Sequence, residues 1–184
     1  VHTLLGMFGF AIWDAPKRRL VLGRDRLGIK PVYFMEHQGR LAFASEIKAL
    51  LTLPGVERAV DPGALQDYLS FGYSGRDQTL FKGIRKLPPA SLLVRENGGY
   101  RIETYWQVPA AADETLSQAD WAERLRPALA AAVVTRPVSD VPLGAVLSGG
   151  AASRATVALI ARPHQRPVST SPLGFPGHAA GPPY

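Results

Sequence analysis

From Met7 to Trp13 bulky apolar residues alternate with small ones, a pattern that suits a buried strand. Asp14-Ala15-Pro16-Lys17-Arg18 interrupts it, because Asp opens a turn and Pro fixes φ. Leu20 to Asp25 reads as a second strand. Val32 to Met35 and Leu41 to Ala44 read as two more, joined by a turn around Gln38-Gly39. The first 45 residues are therefore expected to form one antiparallel, meander-like sheet segment. Ser45 then stands as N-cap before a short helix, Glu46-Ile47-Lys48-Ala49-Leu50-Leu51, which Pro54-Gly55 ends. Asp61-Pro62 opens a second helix with Leu65, Tyr68 and Leu69 on its apolar face.

A loop-rich stretch follows, and Ser91 to Glu96 and Tyr100 to Trp106 make a hairpin around Asn97-Gly98-Gly99. The polar, low-complexity run "QVPAAADETLSQ" reads as a linker. Beyond it Trp121, Leu125, Leu129 and Val133 recur every four residues, predicting a helix from about Gln118 to Thr135 with Pro127 as an interruption. Val141 to Leu147 predicts a strand, Ser148-Gly149-Gly150 a turn, Ala152 to Ala161 a helix, and Val168 to Leu173 a short strand. The Gly/Pro-rich tail "GFPGHAAGPPY" is expected to be disordered. The pattern thus changes near residue 110, from strands to the helix-strand-turn-helix-strand order of a parallel α/β sheet.

Composition narrows this picture mainly by exclusion. The 184 residues are 46% apolar and 20% charged, ordinary for a globular chain. No apolar run approaches a membrane span, and the N-terminus has no basic leader, so neither a membrane anchor nor a signal peptide is expected. A start at Val directly before a strand pattern suggests a fragment. The absence of Cys removes disulfides, thiolate metal sites and thiol nucleophiles. A net charge of +6 is spread over scattered Lys and Arg without a nucleic-acid-binding module, so a solvated basic surface is expected. The isolated histidines at 2, 37, 164 and 178 have no metal-ligand spacing.

Three stretches could carry chemistry. In "RDRLGIKPVYF", Arg24, Asp25, Arg26, Gly28 and Lys30 crowd between two strands. Either this is a surface turn, with Gly28 supplying a left-handed residue, or it is a structured loop beside a substrate pocket. "FASEIKAL" sets Glu46 near a helix N-terminus, where the dipole favours it without a catalytic role. In "SDVPLGAVLSGG" a buried strand ends in Ser148-Gly149-Gly150 and leads into a helix. Backbone N–H groups at such a turn point outward, the helix N-terminus carries a partial positive charge, and phosphate can sit there. Two glycines let the backbone approach oxygens closely, and Ser148 adds a hydroxyl. A plain strand-to-helix connection remains the alternative.

"GMFGFAIWD", "RDRLGIKPVYF", "LAFASEIKALL", "LQDYLSFGY", "TLFKGIRKLPP" and "VSDVPLGAVLSGG" occur in this one order. The set closely resembles the glutamine-hydrolysing asparagine synthetases, over roughly residues 5 to 175. The resemblance implies an α+β Ntn-hydrolase-type antiparallel sheet segment followed by the start of an α/β nucleotide-binding, PP-loop ATPase-like domain. It implies that residues 1–105 belong to the glutaminase domain, 106–117 to a linker and 118–184 to the synthetase domain. In the family an N-terminal Cys releases ammonia from glutamine. ATP and Mg²⁺ adenylate aspartate, and ammonia displaces AMP to give asparagine.

Carried over residue by residue, the resemblance gives no catalytic residue here, because the chain contains no Cys. It gives a nucleotide-binding set of Leu147, Ser148, Gly149, Gly150, Ser153 and Leu173. The family loop reads Ser-Gly-Gly-Leu-Asp-Ser-Ser, whereas here Ala152 replaces the Asp that helps hold Mg²⁺, and Arg154 replaces the last Ser. An impaired Mg²⁺ site and an inactive fragment are therefore expected. The implied setting is cytoplasmic, with glutamine, aspartate and ATP as small-molecule partners, no nucleic acid or membrane, and a homodimer as one assembly the family allows. Two other readings stay open, a non-catalytic nucleotide-binding module and a related ligase with another acceptor, such as a sugar amidotransferase or a β-lactam synthetase.

Overall fold

The computed structural model describes residues 1–184 apart from 76, 111–113, 137–138, 162–167 and 173–184. The chain divides into two compact units, Val1–Ala110 and Ala111–Tyr184.

The first unit holds strands β1 (Gly9–Asp14), β2 (Arg19–Arg24), β3 (Tyr33–His37) and β4 (Arg40–Ala44), then helices α1 (Ile47–Leu50) and α2 (Pro62–Phe71), then β5 (Arg85–Lys86), β6 (Ser91–Glu96) and β7 (Gly99–Thr104). These strands make two antiparallel sheets, in the orders β1-β2-β6-β7 and β4-β3-β5. The expected single meander is thus corrected. β2 is already paired on both sides, with β1 and with β6 in the register Leu22↔Leu93, so β3 finds its partners elsewhere. The segment from Asp25 to Val32 carries the chain from one sheet to the other.

Side-chain alternation then builds two cores from one strand. Phe34 joins Leu22, Val32, Leu87 and Leu93 between the sheets. Its neighbour Met35 points the other way and packs with Leu50 of α1 and with Ile84. The layers are therefore sheet, sheet, helix. The expectation of a buried first strand fails, because β1 is an edge strand whose only ladder neighbour among the described residues is β2. Ile12 stays 56% exposed and Trp13 60% exposed.

Local signals set the helix starts with one exception. Asp61 Oδ1 accepts the Ala64 N–H at 3.0 Å, and left-handed Gly72 ends α2. The expected apolar face of α2 does not form: Leu65, Tyr68 and Leu69 are exposed, and the buried residue is Ala64. Ser45 is not the cap of α1. Extended Glu46 occupies that position without a side-chain capping bond and pairs instead with Lys48, Nζ to Oε2 at 2.6 Å. The Asn97-Gly98 turn between β6 and β7 has positive φ at both residues, 53° and 84°, the geometry that matches strand twist in a two-residue hairpin.

The second unit holds α3 (Gln118–Val134), β8 (Gly144–Leu147), α4 (Ala151–Ala161) and β9 (Ser169–Pro172). Ser117 and Asp120 form a reciprocal capping box at the start of α3, and the helix runs on through Pro127. Of the four residues expected on its apolar stripe only Val133 is buried; Trp121, Leu125 and Leu129 are exposed. β8 begins three residues after the expected Val141 and pairs with β9 in parallel, from Gly144↔Ser169 to Leu147↔Pro172. Among the described residues no helix is long and apolar enough to cross a membrane. The Gly/Pro-rich tail lies outside the described residues.

Candidate functional site

β8 delivers the chain at Leu147 to Ser148-Gly149-Gly150, and α4 begins at Ala151. Gly149 takes φ +85°, a left-handed conformation that strains any residue with a Cβ. No atom would lie within 4 Å of a Cβ built there, so conformation and not space requires the glycine. The Arg154 N–H donates to the Gly150 carbonyl at 3.3 Å and closes the first turn. Helix geometry leaves the N–H groups before it without partners inside the helix, at the positive end of the dipole.

Two hydroxyls brace this turn. Ser153 Oγ donates to the Gly150 carbonyl at 2.9 Å, and Ser148 Oγ donates to Ser153 Oγ at 3.4 Å. Ser148, Gly149 and Gly150 are exposed, so an incoming anion has access. Five of the residues expected in a nucleotide site, Leu147, Ser148, Gly149, Gly150 and Ser153, thus lie in one strand–turn–helix unit. Leu173 lies outside the described residues. A divalent cation does not fit: Ala152 offers a methyl group, and the first turn of α4 contains no acidic residue. Among the described residues no cluster of His, Asp or Glu could hold a metal ion.

The loop after β2 is also built closely, but its polar groups are turned inward. Asp25 is 1% exposed, and its carboxylate accepts N–H donors from Phe8, Leu27, Ile29 and Lys30 at 2.9 to 3.3 Å. Burial pushes its pKa up, and these four donors together outweigh that, so the net shift is downward. Arg24 donates to three carbonyls, those of Lys30, Leu87 and Gly28, at 2.9, 2.6 and 2.5 Å. Burial lowers the Arg24 pKa despite the neighbouring Asp25 charge. Gly28 has φ +65°, as expected for the turn. Sequence reading passes over Tyr105, whose hydroxyl donates to the Arg24 carbonyl at 2.8 Å across 81 residues. Nothing in its sequence neighbourhood signals that bond. Both charges at 24 and 25 are used within the scaffold.

A two-sheet antiparallel unit followed by a strand, a Ser-Gly-Gly turn and a helix has a counterpart among known families. Residues 1–106 match the family model described as a glutamine amidotransferase domain, and residues 124–183 match that described as asparagine synthase. The chain belongs to the glutamine amidotransferase family. More particularly, it is similar to asparagine synthetase [glutamine-hydrolyzing] 3 of Bacillus subtilis, at 38% identity over 88% of this chain and 26% of the relative. A putative asparagine synthetase [glutamine-hydrolyzing] of Mycobacterium bovis is 35% identical over 95% of this chain and 28% of its own length. An amidase, chry2 of Gibberella zeae, is 32% identical over 87% of this chain and 24% of its own. The chain spans about a quarter of the length of these curated relatives.

Proposed function

We propose that this chain is part of a glutamine-hydrolysing asparagine synthetase and supplies the scaffold of its glutaminase half and the phosphate loop of its ATP-dependent half. The carrying observation is the Ser148–Ser153 turn, left-handed at Gly149, inside the segment that matches asparagine synthase. In this reading residues 1–105 belong to an Ntn-type glutaminase domain, 106–117 link it to the next, and 118–184 open a PP-loop type domain. The whole enzyme, in the cytoplasm, would take glutamine, aspartate and ATP. No thiol nucleophile lies in this chain, which contains no Cys.

Within the loop, polyphosphate would be met by the N–H groups at the start of α4, by Ser148 and by Ser153, with Leu147 at its edge. Bound ATP supplies the activating phosphoanhydride; this chain's residues bind and orient it. The loop's lack of a carboxylate favours a second reading, a nucleotide-binding module without catalysis. The amidase relative favours a third, in which the acceptor is not aspartate.

Calorimetric titration of ATP, with Mg²⁺ and with EDTA, tests the loop. Binding that Mg²⁺ changes by less than about twofold is expected, as is tightening by Mg²⁺ of about tenfold in Ala152→Asp, where one new carboxylate ligand is offered. Gly149→Val is expected to abolish binding at the loop, seen as the loss of one ATP per chain. Absence of ATP binding in the folded wild-type chain would remove the nucleotide reading.

A further inference from the structure

Three tight turns of the first unit border one cleft: that between β1 and β2, that at Gln38-Gly39, and that at Asn97-Gly98. Its volume is about 560 Å³, within the roughly 300–1,000 Å³ usual for small-ligand sites. Leu20 and Leu41 line it and also pack against the inter-sheet core, which gives the cleft a firm apolar floor. Trp13 stands beside them with its indole largely exposed.

The polar lining carries more positive than negative charge. Arg18, Arg40 and Arg95 are in it, against Glu96. Arg95 is held in place by Glu36 Oε1 and by the Gly39 carbonyl, each at 3.0 Å, which ties β6 to the β3–β4 hairpin. Arg18 and Arg40 are exposed and form no ion pair among the described residues. Arg18 is also held at φ +47°, where residues other than glycine are uncommon. Two guanidinium groups without acid partners suit phosphate, which they can grip with paired N–H donors. A flat indole beside two leucines suits a planar aromatic group.

We propose that this cleft binds a nucleotide, with the base on Trp13 over Leu20 and Leu41 and the phosphates on Arg18 and Arg40. The site lies wholly within the first unit, and its case does not rest on the Ser148–Ser153 loop.

The test uses the 184-residue chain carrying Gly149→Val, which silences the loop, and titrates it with ADP, adenosine and inorganic pyrophosphate. One ADP per chain is expected, with quenching of tryptophan fluorescence that Trp13→Phe removes. Arg18→Glu with Arg40→Glu is expected to weaken ADP at least about tenfold, while Lys17→Glu, outside the cleft lining, leaves it unchanged. Adenosine and pyrophosphate are each expected to bind more weakly than ADP. Circular dichroism shows whether each variant is folded, and Arg18→Gln with Arg40→Gln replaces the reversal if that variant is not. A folded Gly149→Val chain that binds no ADP overturns the proposal, as does ADP binding insensitive to both arginine substitutions. Pyrophosphate binding as tight as ADP overturns the aromatic half of the assignment and leaves an anion patch.

Discussion

Asp25 uses its accepting capacity on its own neighbourhood. Four backbone N–H groups converge on one buried carboxylate, and three of them lie within five residues of it. The folded state therefore holds the ionised form more firmly than the unfolded chain does. That contribution is fully present above the unfolded carboxylate pKa, near 3.9, and is lost as pH falls through the lower folded value. Asp25→Asn, which turns an NH₂ toward N–H donors, is expected to destabilise the chain at pH 7 by about 3 kcal/mol. It should also flatten the loss of stability below about pH 4. Urea denaturation across pH 3 to 7 measures both. The crowding of charges around Gly28 was visible in the sequence, but the fourth donor, Phe8, was not, because it comes from 17 residues upstream. The turn at Gly149 was legible, but the expected reason was close approach to an anion, whereas the structure adds a local one, φ +85°.

Among the elements, those specified by adjacent residues were readable, the Ser45 cap of α1 excepted, and those specified by distant partners were not. Asp61-Pro62 and Asn97-Gly98 carry their geometry in two residues each, and both act as expected. The pairing of β2 with β6 joins residues about seventy positions apart, and hydrophobic alternation says nothing about which strand is the neighbour. The apolar stripe of α3 was right in period but wrong in burial, since three of its four members are exposed. A helix with so little packing depends on its ends and its interior propensity. Ser117→Ala removes the capping box and is expected to cost about 1 kcal/mol. Pro127→Ala restores a missing donor and is expected to stabilise α3 by up to about 3 kcal/mol. Far-UV circular dichroism during thermal melting checks both, with helical signal lost early in the first variant and retained longer in the second.

Across the whole molecule, burial is concentrated in the first unit. Among the described residues every buried apolar side chain but Val133 belongs to it. Hydrogen exchange should therefore be slowest at Leu22 and Leu93, in the centre of the four-stranded sheet, and much faster along α3 and α4. Mass spectrometry of exchanged peptides would show it, and equal protection in the two units would contradict it. The coarse class of fold was legible because strands dominate up to about residue 110 and helices alternate with strands after it. The division of the first half into two sheets was not, since it follows from long-range pairing.

The exposure of β1 has a colloidal consequence. Met7 to Trp13 reads Met-Phe-Gly-Phe-Ala-Ile-Trp, seven residues without a charge or a proline, and most of it forms the edge of a sheet. Such a strand is a template for copies of itself. Concentrated chain is expected to form thioflavin-positive fibrils seeded by this segment. Ile12→Lys, which sets a charge on the exposed edge, should delay them severalfold in a turbidity and thioflavin time course without loss of the folded core.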